Sequence, residues 1–319
     1  VQSTETGTAY LVNTAVTVSN LASITGAADN QSNSVTISSA ATNTNLPATG
    51  LADGTYKVFA VDAAGNLSSA SINSVTLQID YALDFDGTND RVAANGVATE
   101  LNSTSPAANL PLSVSAWVYP DDGTSEQLVF GFYDNNIFAN GPSVWFGGTD
   151  LKFAYLNDSL TAVDTSSSYA INNWHHVVLT IDSNRGGVLY VNGSSAATFS
   201  SAFNTGGLDM FSIAVDYDDA LDNEDASLGA GNPTKYFDGK IDEVAVWNDE
   251  LTSAEVTAIY NSGNMLNVSS DSGNYASAIN LKGYYRFNEG SGTSLQDNSS
   301  NSNTGTITGA IWTAGFVSE

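Results

Sequence analysis

Oxygen-bearing side chains are bunched in two places. Between Asp216 and Asp225 six carboxylates fall within ten residues: Asp216, Asp218, Asp219, Asp222, Glu224 and Asp225. From Asp297 to Asn303 the chain reads Asp-Asn-Ser-Ser-Asn-Ser-Asn, a carboxylate amid amide and hydroxyl oxygens. Both suit calcium, which takes about six to eight oxygen ligands from carboxylates, amides and carbonyls. Each has a plainer alternative: a solvated acidic loop for the first, an ion-free Asn/Ser turn for the second. Like charges at the density of the first repel unless something neutralises them. Other chemistries lack their parts. His175 and His176 are the only histidines. Neighbours on a strand point to opposite faces and cannot chelate one ion together, so both are expected to pack beside Trp174. No Glu-x-Asp-x-x-Glu spacing sets paired carboxylates on alternate strand positions. No Gly-x-Ser-x-Gly elbow, phosphate loop or cysteine is present either. An enzyme is not expected.

The bulk numbers agree with a binding role. The 319 residues carry 34 acidic and 8 basic side chains, a net charge of −26. Nucleic acid and anionic membrane surfaces both need Lys and Arg, so neither is an expected partner. Divalent cations are favoured. With 42% hydrophobic residues the chain can build cores. Its apolar runs are too short to span a bilayer. The sequence opens mid-pattern, without a leader-like stretch, and reads as an excised fragment, expected to be monomeric.

The elements that must position these residues are mostly strands. Residues 1 to 79 hold short candidates at Tyr10–Val12, Val16–Ser19, Ser34–Ile37, Tyr56–Val61 and Ser71–Ile79. Leu51-Ala-Asp-Gly-Thr-Tyr56 looks like a tyrosine corner, whose hydroxyl bonds back to nearby backbone. Asp62, in Val-Asp-Ala-Ala-Gly-Asn, is a turn residue or a ligand to an ion between domains. Further on, Asp238-Gly239 is a turn signal, and Ile241–Trp247 runs as a strand. Strict alternation puts Asp242, Val244 and Val246 on one face and Ile241, Glu243, Ala245 and Trp247 on the other. Thr252-Ser-Ala-Glu255 is a capping box that opens a short helix over about 252 to 261, closed by Gly263.

The stretch Phe237-Asp-Gly-Lys-Ile-Asp-Glu-Val-Ala-Val-Trp247, with Leu251-Thr-Ser-Ala-Glu-Val256, resembles the closing strand and helix of laminin-G-like jelly rolls. These are the concanavalin A-like sandwiches that include the pentraxins. Phe85-Asp-Gly-Thr-Asn-Asp-Arg-Val92, Leu112–Pro120, Trp174–Ile181 and Gly187–Gly193 fit the same family. Tyr56–Asn66 resembles the last hairpin of the bacterial immunoglobulin-like repeats found in large surface adhesins. The fold expected is therefore all-β: an immunoglobulin-like sandwich over 1–79, then a larger jelly-roll sandwich over 80–319 with one short helix. Residues 281–312 resemble a segment that normally begins such a domain. Here they are expected to return and close the sandwich beside Ala82–Phe85, rather than open another repeat. Residues 264–280 read as a polar connector.

The resemblance also implies sites. In the laminin-G-like families a loop such as Asp297–Asn303 often holds a structural ion, with Asp86, Asp90, Asp242 and Glu243 as possible co-ligands here. In pentraxins an acidic segment after the strand matching Met210–Val215 holds calcium, which in turn binds the ligand. By position that segment falls on Asp216, Asp218 and Asp219. Asp134 and Asn135 are the expected ligands from a neighbouring strand, with Asp222 and Asp225 completing the shell. Tyr217 and Tyr236 would supply stacking surface. The implied protein is a non-catalytic, calcium-dependent recognition module of a bacterial cell-surface adhesin, binding a glycan or short peptide outside the cell. The alternatives are an accessory carbohydrate-binding module of a secreted polysaccharide-degrading enzyme and a structural stalk unit.

Overall fold

The computed structural model describes residues 1–77, 80–104, 110–134, 139–148, 152–156, 162–200, 209–219 and 232–316. The chain divides into two compact units, Val1–Ile79 and Asp80–Glu319.

The first unit is built on one four-stranded antiparallel sheet. Its order is Ser32–Ile37, Gly7–Asn13, Gly54–Asp62, Ser74–Leu77. Among the described residues no second sheet faces it. Instead Leu46, Ala48 and Leu51 pack from a loop onto Leu11 and Tyr56. Val16–Ser19 forms no strand. The corner forms: the Tyr56 hydroxyl donates to the Ala52 carbonyl at 2.7 Å. Asp62 serves its own turn, accepting from Ala64 N at 2.9 Å, Asn66 N at 2.8 Å and Asn66 Nδ2 at 2.7 Å.

The second unit is a sandwich of two antiparallel sheets. The first runs Ala162–Asp164, Lys152–Leu156, Ala139–Gly147, Gln127–Asp134, Met210–Ile213, Arg91–Ala93, Gly305–Thr308, Ser294–Leu295. The second runs Ser194–Phe199, Gly187–Val191, His175–Ile181, Leu112–Pro120, Asp238–Trp247, Tyr81–Asp86, Ile311–Ala314, and Leu281–Tyr285 pairs with its central strand Asp238–Trp247. The C-terminal strands thus lie in both sheets: Gly305–Thr308 beside Arg91–Ala93, Ile311–Ala314 beside Tyr81–Asp86. The main core fills the space between the sheets.

The central strand departs from strict alternation. Its pairing with Leu112–Pro120 shifts between Asp242 and Ala245, and Glu243 sits at φ +48°. This bulge inserts one residue and re-aims the side chains beyond it. Ile241, Val244 and Val246 therefore all face the main core, while Ala245 and Trp247 face outward. Gly239 is needed where it stands. A Cβ there would lie 2.2 Å from the Tyr119 carbonyl oxygen, and its φ is +135°.

A third layer covers part of the second sheet's outer face. Helix Ser253–Tyr260 starts at the expected capping box: Thr252 Oγ1 accepts from Glu255 N at 3.3 Å, and Glu255 Oε2 accepts from Thr252 N at 3.0 Å. It ends earlier than Gly263, at Asn261 in the left-handed region. The segment read as a polar connector buries Val268 and Tyr275 against Trp247, Val256 and Ile259. The Trp247 indole donates to the Tyr275 hydroxyl at 2.9 Å. Two further helices, Leu21–Thr25 and Asn95–Thr104, were not expected. Asn95-Gly-Val-Ala-Thr carries poor helix formers, and the helix is set by burial of Val97, Ala98 and Leu101 rather than by propensity.

The two histidines do face opposite ways, but neither packs on Trp174. His175 lies in the main core side, ringed by Phe153 and Tyr169, its Nε2 paired with the Ala170 carbonyl at 2.8 Å. His176 lies outward against Trp117, centroids 5.0 Å apart, and burial pushes its pKa down to about 3. It is a neutral packing residue.

Candidate functional site

The central strand and its neighbours carry two separate groups of carboxylates. The first is Asp80, Asp242 and Glu243. Among the described residues only these bring three such ligand oxygens within 4.8 Å of one another. Asp242 is 0% and Glu243 6% exposed. Arg286 Nε donates to Glu243 Oε1 at 3.0 Å, and the Tyr284 hydroxyl makes a short bond to Glu243 Oε2. Asp242 Oδ1 accepts from Glu243 N at 2.7 Å, and Oδ2 accepts from Phe316 N at 3.4 Å. Asp80 Oδ2 is buried without a hydrogen-bond partner. Burial, then the Glu243 charge, pushes the Asp80 carboxyl up to about 7. Burial likewise raises Asp242 and Glu243. Three carboxyls around one guanidinium hold protons readily, because burial disfavours every charge that Arg286 cannot match.

The second group is open. Asp84, Asp86, Asp90, Asp121 and Asp238 line a groove of about 610 Å³, with Asn89, Gly309 and Ile311. Asp90 is 6% exposed, and its Oδ2 accepts from Asp86 N at 3.1 Å. Burial and then neighbouring carboxylates raise Asp84 and Asp238. For Asp90 burial is again the largest cause, with Asp86 and Asp84 adding to it. Lys240 partly offsets the shift at Asp84, and the Arg91 guanidinium donates to the Asn89 carbonyl at the groove at 3.2 Å. An all-oxygen, mutually repelling set is the donor chemistry calcium takes.

A family model described as the concanavalin A-like lectin/glucanases superfamily, a laminin-G-type model, matches residues 86–257. That is more than half of the chain. The chain belongs to this superfamily. No curated protein sequence matches it. Among solved structures, a Bacteroides ovatus ATCC 8483 protein provisionally assigned to carbohydrate binding is 15% identical, over 99% of this chain and 90% of that one, with a TM-score of 0.48. The heptameric SAP-like pentraxin of Limulus polyphemus is 16% identical over 57% of this chain and 82% of that one, TM-score 0.42. The CBM40 module of a Ruminococcus gnavus sialidase is 14% identical over 58% and 98%, TM-score 0.43.

In this concanavalin A-like chain the expected ion ligands do not form one set. Asp86 and Asp90 line the groove, whereas Asp242 and Glu243 face Asp80 and Arg286. Asp297 belongs to neither. Its Oδ1 accepts from Tyr284 N at 2.9 Å and Ser299 N at 2.8 Å, and its Oδ2 from Ser299 Oγ at 2.8 Å and Asn303 N at 2.7 Å. Asn303 Nδ2 donates to the Lys282 carbonyl at 2.9 Å. Four donors occupy the Asp297 carboxylate, so this loop is held by its own hydrogen bonds.

The acidic segment after Met210–Ile213 begins as a two-stranded ribbon, Asp216–Asp219 with Asn232–Thr234. Tyr217, Asp218 and Asp219 lie on it; Asn135, Asp222 and Asp225 lie outside the described residues. Asp216 is 3% exposed and has partners within the protein. Asp134 does not share its end of the sheet. Met210 pairs with Tyr133 and Ile213 with Phe130, so Asp134 flanks the start of strand Met210–Ile213 and Asp216 follows its far end. Tyr236 packs half-buried on Leu128, Tyr133, Trp145, Met210 and Val215. Sequence reasoning missed Asp80, Asp84, Asp121 and Asp238 as partners. Only Asp238, in its Asp-Gly turn, carried a local signal.

Proposed function

We propose that the second unit is a non-catalytic, calcium-dependent module that recognises a glycan, displayed outside a bacterial cell by a surface adhesin, with the first unit as an immunoglobulin-like spacer. The observation that carries this reading is the open groove of five carboxylates on a lectin-type sandwich. A cation there would relieve the repulsion that raises Asp84, Asp90 and Asp238. Asp84, Asp86, Asp90, Asp121 and Asp238 would hold it, and the ion's open positions would take ligand hydroxyls. The acidic sequence segment with Asp216, Asp218, Asp219, Asp222 and Asp225 is a second candidate, with Tyr217 within it. The tightest carboxylate group among the described residues, Asp80–Asp242–Glu243, is not suited to catalysis. It is buried and engaged by Arg286 and Tyr284, so it offers no acid–base pair to a bound sugar.

The test is retention on a glycan array in calcium and in EDTA. Binding that EDTA abolishes supports the reading. Retention on a peptide array alone moves the ligand class to peptide. No retention on either array leaves a stalk unit and sinks the recognition role. An adhesin and an accessory module of a polysaccharide-degrading enzyme are told apart by whether a catalytic domain shares the polypeptide.

A further inference from the structure

The outer face of the second sheet is covered unevenly. Around Ala245, Trp247, Val178 and Tyr190 it lies under helix Ser253–Tyr260 and the segment through Tyr275. One cross-strand row escapes that cover: Asp84, Lys240, Tyr119 and Trp174, all half-buried. Their strand neighbours Leu83, Phe85, Ile241 and Val118 point into the core, so these four point outward. Register sets Lys240 opposite both Asp84 and Tyr119. The pairing of His175 with Val118 brings Trp174 beside Tyr119, ring centroids 5.5 Å apart at 61°. Phe316 meets Trp174 edge-on, 5.7 Å away at 87°. At its other end the row runs through Asp84 into the acidic groove.

We infer that this row is a sugar seat: Trp174 takes the C–H face of one neutral pyranose ring, Tyr119 and Phe316 wall it, and Lys240 and Asp84, two and three strands along the row, bind the hydroxyls of an adjoining ring. This rests on the glycan reading above and goes beyond it in naming the face and the ring chemistry. Four observations choose the occupant. Among the described residues no ring stacks face-to-face on Trp174; its ring contacts are edge-on. A half-buried aromatic with no ring stacked on its face suits a ligand that is apolar on one side and polar at its rim. The cation position over Tyr119 is already filled by Lys240 Nζ, 5.0 Å from the centroid, which removes the best contact a basic peptide would make there. Asp84, Asp86, Asp121 and Asp238 surround the near end, so an acidic sugar or a nucleic acid is repelled. The Asp84 carboxylate accepts from one hydroxyl while the neighbouring Lys240 ammonium donates to the next, as a hydroxyl-lined ring requires.

The experiment is affinity electrophoresis of the whole chain in calcium buffer, through gels containing mannan, xylan, dextran or, as the acidic arm, alginate. Retardation by at least one neutral polysaccharide is expected. Trp174→Ala should weaken it at least about tenfold, the scale of one aromatic contact. Trp174→Tyr should restore most of it, and Asp271→Asn, at an exposed position outside both acidic sites, should leave it in place. If no polysaccharide retards the wild type, the glycan reading falls and the seat with it. If the wild type is retarded and folded Trp174→Ala equally so, only the seat is overturned. Retardation by alginate alone overturns the neutral-ring assignment. Should Trp174→Ala lose its fold by circular dichroism, Asp84→Asn with Lys240→Met, which leaves the rings in place, decides: unchanged retardation sinks the seat.

Discussion

Asp238 and Asp242 sit four residues apart on one strand and belong to opposite kinds of acidic cluster. Asp242 joins Asp80 and Glu243 under cover, with Arg286 as an internal cation. Asp238 joins four other aspartates in an open groove, where Lys240 offsets the charge of Asp84 in part. The contrast shows that counting carboxylates does not find an ion site. A buried group answers its charge with a guanidinium and with protons. An exposed group that repels itself, with too few cations of its own, is where an external ion gains most.

The largest expected effect tests the closed cluster. Arg286→Ala leaves Glu243 as a buried, unmatched carboxyl and should destabilise the second unit by about 3–5 kcal/mol, read by urea unfolding. A loss under ~1 kcal/mol would mean that solvent, not Arg286, balances the cluster, and the contrast with the groove would collapse.

Next comes calcium at the groove. A folded-state site stabilises by RT ln(1 + [Ca]/Kd), about 2.7 kcal/mol at a hundredfold excess over Kd. The melting temperature should fall in EDTA and recover with calcium rather than magnesium, which dehydrates reluctantly. Asp121→Asn with Asp238→Asn should erase that response. If the double variant responds to calcium as fully as the wild type, the ion sits elsewhere, and the acidic ribbon becomes the leading candidate.

A smaller effect separates proton from charge at Asp80. Its carboxyl stands at about 7 in the folded chain against an ordinary 3.8, so folding favours the protonated form. Stability should therefore be fully present below about pH 4 and be lost as pH rises through 7. Asp80→Asn should raise the melting temperature at pH 8 and flatten that decline, while Asp271→Asn, at an exposed position, should do neither. A lower melting temperature for Asp80→Asn at pH 8 would show that the charged carboxylate, held by a cation, is the stable form.

The smallest stability change is expected at the ribbon. From the acidity of their sequence segment, Asp218→Ala with Asp219→Ala is expected to shift stability by no more than about 0.5 kcal/mol. If array binding in calcium is nonetheless lost, the ribbon rather than the groove holds the functional ion.

Much of the architecture was legible in short patterns. The Asp-Gly turn, the Ile241–Trp247 run and the Thr252–Glu255 capping box each specify local geometry through backbone conformation and nearby hydrogen bonds. The tyrosine corner at Tyr56 is legible for the same reason. Alternation could not show the bulge at Glu243, because a run of apolar and acidic residues looks the same with or without one extra residue. That single residue moves Ala245 and Trp247 onto the outer face and turns Glu243 toward Tyr284 and Arg286.

By itself, then, the sequence determined the strand-rich class, the helix start, the turn glycines and the surplus of acid that makes a cation welcome. All of these depend on residues within a few positions of one another, or on composition alone. The tertiary structure decided which carboxylates meet. Asp80 and Asp242, like Asp84 and Asp238, are joined by neighbouring strands from distant parts of the chain, and Arg286 arrives from the returning C-terminal segment. Sheet register sets those meetings, and register is chosen by burying the whole apolar face at once.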